Sequence, residues 1–97
     1  MKVTADLTII PMGVGPSVSD YIADIKEVMD ASDVKTHMQA NGTALEGELS
    51  DIIKLIEQCE QRLSEKGVER IHANLSFSSR RDKDQSLEDK LKSVRTA

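Results

Sequence analysis

The amino-acid sequence predicts an α+β fold in which four strands and two principal helices follow the order βαββαβ, with a short helix at the end. Four segments alternate apolar and polar residues with a period of two, and two longer segments repeat apolar residues with the period of an α-helix. Turns rich in glycine, proline or asparagine separate several of these segments. At 97 residues, we expect one domain over residues 1–97, with a core small enough to gain from oligomerisation.

The first strand and first helix are joined by an unusual loop. Residues 2–10 alternate as a half-buried strand, with Val3, Ala5, Leu7 and Ile9 on one side and Lys2, Thr4, Asp6 and Thr8 on the other. The loop, residues 10–17, contains two glycines and two prolines. Ser17 is the expected N-cap of a helix over Val18 to Ala31, because Asp20 follows it by three residues.

A hairpin and a second helix come next. The second strand runs from Val34 to Gln39, and Asn41-Gly42 predicts a turn with positive φ that leads into a third strand ending at Gly47. The second helix is expected from Glu48 to Lys66. Its predicted stripe is mostly apolar and consists of Leu49, Ile52, Ile53, Ile56, Cys59, Glu60 and Leu63.

The fourth strand covers Ile71 to Ser78, and Ser86 opens a short final helix with apolar contacts at Leu87, Leu91 and Val94. This order is that of the ferredoxin-like fold, an antiparallel four-stranded sheet with strand order 4-1-3-2 and both main helices on one side. The sequence therefore predicts a ferredoxin-like βαββαβ sandwich with a short C-terminal helix.

The side of the sheet away from the two helices is predicted to be polar, with Thr4, Asp6, Thr8, His37, Gln39, Ala44, Glu46, His72, Asn74 and Ser76. Such a face is either solvated or buried against another subunit with its hydrogen bonds matched. Asp6 on this face pairs with a histidine, accepts a hydrogen bond from a ligand, or is an ordinary exposed strand carboxylate, which is the commonest of the three. We expect a homo-oligomer, and specifically a homotetramer.

Composition argues against several other functions. The net charge of -4 and the presence of only two aromatic residues, Tyr21 and Phe77, argue against binding of nucleic acid. No apolar segment suggests a membrane, and a single cysteine forms no internal disulfide, so we expect a cytoplasmic protein. His37 and His72 lack the spacing of metal ligands, and Cys59 lies on an apolar stripe, so no metal site, cofactor or catalytic residue is expected.

Two glycine-containing motifs carry a resemblance to a known family. The first is Ile10-Pro11-Met12-Gly13 with Gly15 and Ser17-Val18-Ser19-Asp20-Tyr21, and the second is Gly42-Thr43-Ala44-Leu45-Glu46-Gly47. With Gly67-Val68-Glu69-Arg70-Ile71 and Arg81-Asp82-Lys83, they span nearly the whole chain. In this order and spacing the chain resembles the small thiamine-binding proteins of the YkoF-like class.

The resemblance implies a non-catalytic protein that binds thiamine or its hydroxymethylpyrimidine part, in storage, carriage or sensing of the vitamin. Glu46 would accept charge-assisted hydrogen bonds from the aminopyrimidine, while Thr43 and backbone groups near Gly13 and Gly42 would supply neutral ones. Pro11, in the loop before Gly13, also belongs to the expected ligand-binding set. Ser17 and Ser19 complete the expected ligand-binding set, although Ser17 also serves as a helix cap. Strict alternation places Thr43 and Glu46 on opposite faces, so a shared site needs a bulge or two subunits.

Two other functions use the same residues. A structural homo-oligomer would bury the polar sheet face without any ligand. A small enzyme on this fold would need an activated nucleophile or a cluster of metal ligands, which the sequence does not suggest.

Overall fold

The computed structural model describes the backbone of residues 1–15, 18–79, 81 and 86–96, and the side chains of these residues except 93–96. The elements are β1 (Lys2–Met12), α1 (Ser19–Asp30), β2 (Lys35–Gln39), β3 (Gly42–Glu48), α2 (Leu49–Glu65), β4 (Arg70–Ser79) and α3 (Leu87–Thr96). All paired strands are antiparallel, in the order β2-β3-β1-β4. The predicted ferredoxin-like fold, strand order and final helix are therefore confirmed.

The first strand is longer than the sequence suggested. Pro11 and Met12 were assigned to the loop, but both belong to β1 and pair with Ile71 and Arg70 of β4. On its other side β1 pairs with β3 only up to Leu7. Because that edge of β1 has no strand beyond Leu7, a proline without an N–H is tolerated there.

The core lies between the sheet and the pair α1 and α2. In α2 the residues that reach it are Ile52, Leu55, Cys59 and Leu63, each no more than 1% exposed. The predicted stripe omitted Leu55 and included Ile53, which is 44% exposed. The buried face follows the spacing i, i+3, i+7 and i+11, and Ile53 lies outside it.

The hairpin between β2 and β3 is confirmed, but its turn lies one residue earlier than predicted. Gln39 pairs with Gly42, so Ala40 and Asn41 form the connection and Gly42 is the first residue of β3. None of the described non-glycine residues has positive φ, so the expected conformation of Asn41 is not adopted.

The sheet side away from α1 and α2, called here the open face, is partly covered by α3. Lys90 Nζ donates to Ser78 Oγ over 2.7 Å, and α3 packs against β3. Ser86 and Asp89 cap the helix reciprocally, each backbone N–H donating to the other side chain. Thr4 and Glu46, also on the open face, are only 7% and 8% exposed.

No helix within the described part of the chain combines the length and the apolar character needed to cross a membrane.

Candidate ligand-binding site

A cavity lies where the β2–β3 hairpin ends and β1 continues past it. β1 pairs with β3 from Lys2 to Leu7 but with β4 from Val3 to Met12. Residues 8–12 therefore have a strand on one side only. The space between this free edge, the hairpin turn and α1 is a cavity of about 360 Å³, called here the β1 notch.

The walls of the β1 notch are largely apolar and come from three elements. α1 contributes Ile22, Ile25 and Met29, which recur at helical spacing on the side facing the sheet, and Met38 comes from β2. The polar groups come from Thr8, Gln39, Asn41 and Thr43. None of the residues lining the notch is charged. Such a lining suits a small flat ligand that has apolar faces and a few hydrogen-bonding groups.

Thr43 supplies a hydroxyl to the notch. It pairs with Leu7 on the helix-facing side of the sheet and is 5% exposed. Its Oγ1 makes no hydrogen bond with another described residue. Among the described residues, every side-chain nitrogen or oxygen that is fully buried has a hydrogen-bond partner, so the unpaired Thr43 Oγ1 is not fully buried. The hydroxyl therefore remains open to the cavity, free to donate to or accept from a ligand.

The backbone of β1 adds further hydrogen-bonding groups. Past Leu7 the N–H and C=O groups that point away from β4 have no partner in the sheet ladder. A free strand edge of this kind presents alternating donors and acceptors in one line. The notch thus offers a row of backbone groups beside the Thr43 hydroxyl.

Glu46 lies on the opposite side of the sheet from Thr43. The β1–β3 register runs without a bulge from Lys2↔Glu48 to Leu7↔Thr43, so alternation puts Glu46 on the open face beside Thr4. Its carboxylate approaches Lys35 Nζ at 3.8 Å. Within one chain, the two residues of the Gly-Thr-x-x-Glu-Gly motif do not share a site.

The remaining residues expected from sequence shape the connection between β1 and α1. Pro11 is buried, Gly13 has φ of +73° and so favours glycine, and Ser19 is the exposed first residue of α1. None of these three lines the notch. Val18 occupies the N-cap position, and the predicted roles of Ser17 lie outside the described residues.

The histidines and the cysteine lie apart from the notch. His37 and His72 are exposed on the open face, and no three possible metal ligands come together among the described residues. Burial raises the pKa of the Cys59 thiol to about 11, although Arg62 partly opposes this shift. The thiol is therefore protonated at neutral pH and is a poor nucleophile.

Sequence reasoning missed most of the notch. Gln39 and Thr8 were assigned to the polar face, and Ile22 and Ile25 were assigned only to helix packing. The signal that was available is the length of the first strand: its alternation continues past the region that the shorter third strand can pair with.

Comparisons with known proteins agree with this structure. A family model described as thiamine-binding protein matches residues 5–95. The UPF0045 protein YqgV of Bacillus subtilis is 38% identical over 95 residues, which cover 93% of this chain and 91% of that protein. The UPF0045 protein MJ1052 of Methanocaldococcus jannaschii is 38% identical over 93 residues, with coverage of 96% and 92%.

Solved structures extend the agreement to three dimensions. The crystal structure of MJ1052 matches with a TM-score of 0.87 and 37% identity, covering 99% of this chain and 98% of that one. A Thermotoga maritima structure, described as a candidate thiamine biosynthesis or salvage protein, matches with a TM-score of 0.81 at 20% identity and covers 98% and 100%. This second match shows a common fold. By the family match over residues 5–95, the chain belongs to the thiamine-binding protein family.

Proposed function

We propose that the protein binds thiamine, or its hydroxymethylpyrimidine part, in the β1 notch and does not transform it. The observation that carries this proposal is the uncharged notch in which the Thr43 hydroxyl lies beside the free edge of β1. Family membership supports the choice of ligand. The protein would store, carry or sense the vitamin in the cytoplasm.

The chemistry of the pyrimidine matches the notch. An aminopyrimidine carries an exocyclic amine that donates next to a ring nitrogen that accepts. Backbone C=O and N–H groups along a free strand edge offer the complementary pair, and the Thr43 hydroxyl can satisfy a third polar group. Aliphatic and thioether side chains such as Ile25, Met29 and Met38 would cover the faces of the ring.

The same lining supports binding over catalysis. The described residues that line the notch include hydroxyls and amides but no histidine, cysteine, carboxylate or lysine. General acid–base or nucleophilic catalysis relies on groups of those kinds. A ligand in the notch would therefore be held by hydrogen bonds and apolar contact.

Glu46 is proposed as a ligand-binding residue that acts between subunits. Because it faces away from the notch of its own chain, it can meet a ligand held by Thr43 only when another copy of the chain supplies it. Assembly through the open face, in the expected homotetramer, would bring Glu46 to the ligand of another chain if its carboxylate, which is 8% exposed in one chain, turned outward into that contact.

Isothermal titration with thiamine and with hydroxymethylpyrimidine tests the proposal. Thr43→Val keeps the side-chain shape but removes the hydroxyl, and we expect the affinity to fall about five- to tenfold, as for loss of one hydrogen bond. Thr36→Val is the matched control, since Thr36 is half-buried in β2 on the same side of the sheet but does not line the notch.

Three results would contradict parts of the proposal. No heat from the parent protein with either ligand at millimolar concentration would exclude vitamin binding. Equal losses in Thr43→Val and Thr36→Val would move the site away from the notch. Unchanged affinity in Glu46→Gln would remove Glu46 from the ligand-binding set while leaving the notch in place.

A further inference from the structure

We propose that Asp6 holds the cationic half of the ligand at the open-face mouth of the β1 notch, so that the protein prefers a thiazolium-bearing ligand to the neutral pyrimidine alone. This inference rests on the proposed function. It adds a carboxylate to a cavity whose own lining is uncharged.

The position of Asp6 follows from how closely β1 and β3 approach at Gly42. A Cβ built on Gly42 would lie 3.1 Å from Asp6 Oδ1, 3.4 Å from Thr8 Oγ1 and 3.4 Å from the Leu7 carbonyl oxygen. Gly42 and Thr8 both line the notch. The Asp6 carboxylate therefore lies at its rim, in space that stays open because residue 42 has no side chain.

The carboxylate has no partner among the described residues. By contrast, Asp24 approaches Arg62 and Lys66, and Glu46 approaches Lys35. No hydrogen bond or ion pair of the described residues uses the side chain of Asp6, which is exposed. Its cross-strand neighbours on the open face, Ala44 and Ser76, are small, so a ligand can approach from that side.

The ligand has the matching geometry. A single methylene joins the aminopyrimidine of thiamine to the thiazolium, so a pyrimidine in the notch leaves the cation one ring away, near the rim. A carboxylate there attracts a permanent cation without a proton transfer. Because Asp6 is exposed, its attraction is worth no more than an exposed ion pair, or about three- to fivefold in affinity.

The experiment compares two ligands and three variants by isothermal titration at low ionic strength. We expect Asp6→Asn to lower the affinity for thiamine about three- to fivefold and to change the affinity for hydroxymethylpyrimidine by less than about twofold. Asp33→Asn, which neutralises an exposed carboxylate in the connection between α1 and β2, should change neither affinity. Asp6→Glu, which keeps the charge, should retain part of the preference.

The salt dependence of the parent protein gives a second test that needs no variant. Raising the salt concentration to about 0.5 M should lower the affinity for thiamine and leave the affinity for hydroxymethylpyrimidine unchanged, because salt screens only the attraction between charges. Equal affinity of the parent for both ligands, or equal losses of both in Asp6→Asn, would overturn the role of Asp6 and leave the proposed function standing. Absence of binding by either ligand to the parent would overturn the proposed function itself.

Discussion

Residues close together in a sequence motif can lie on opposite sides of a sheet, as Thr43 and Glu46 do. They are three positions apart in β3, and the two-residue period of a strand turns their side chains to opposite faces. Thr43 lines the β1 notch, while Glu46 lies on the open face beside Lys35. The polar side chains at the notch come from Gln39, Asn41 and Thr43 around the hairpin turn and from Thr8, which the fold brings beside them.

Cys59 provides a prediction at this scale. Burial raises its pKa from the ordinary value of 9.0 to about 11, so the unfolded chain loses this proton at lower pH than the folded one. Stability from this residue is therefore complete below about pH 9 and falls between about pH 9 and pH 11, by about 2–3 kcal/mol.

Urea denaturation across this pH range measures the effect. The Cys59→Ala variant is the control, because it lacks the thiol and keeps every other titratable group of the chain. A parallel decline in the two proteins would show that the thiol does not ionise preferentially in the unfolded state.

Among the secondary-structure elements, most of the fold was predictable and the cover of the open face was not. Alternation identified all four strands, and capping residues located α3. The location of α3 depends on a tertiary contact, Lys90 with Ser78, which leaves no periodic signal in the sequence. The notch was missed for a related reason: it results from the unequal pairing of β1 with β3 and β4, and motif searches do not measure pairing lengths.

The reciprocal cap of α3 leads to a prediction for that helix. Ser86→Ala removes the hydroxyl that accepts from the Asp89 N–H, and loss of such a cap costs about 1 kcal/mol. We expect backbone amides of α3 to exchange about fivefold faster with deuterium, while those of α2 are unchanged. Ser64→Ala, at an exposed position in α2, is the control. Equal protection of α3 in Ser86→Ala and the parent would mean that packing on the sheet holds the helix without its cap.

In the molecule as a whole, α1 and α2 cover one side of the sheet, while part of the other side is exposed. Apolar side chains under α1 and α2 form one core, whereas the uncovered part of the open face carries Asp6, His37, Asn74 and Ser76. If the open face is the contact between subunits, Asp6 lies in that contact. Assembly and binding of the cation would then depend on one surface.

We therefore expect a homotetramer, with a solution mass about four times the chain mass of 10.7 kDa. Asn74→Arg places a long cation on the exposed open face, opposite Thr8, and should reduce the mass because a buried unpaired charge is costly. Gln58→Arg adds the same charge to the exposed surface of α2 and should leave the mass unchanged. Light scattering at micromolar concentration measures all three proteins.

A parent protein that is monomeric at this concentration would contradict the tetramer and, with it, the contribution of Glu46 from a second chain. A tetramer that persists in Asn74→Arg would instead place the contact on another surface.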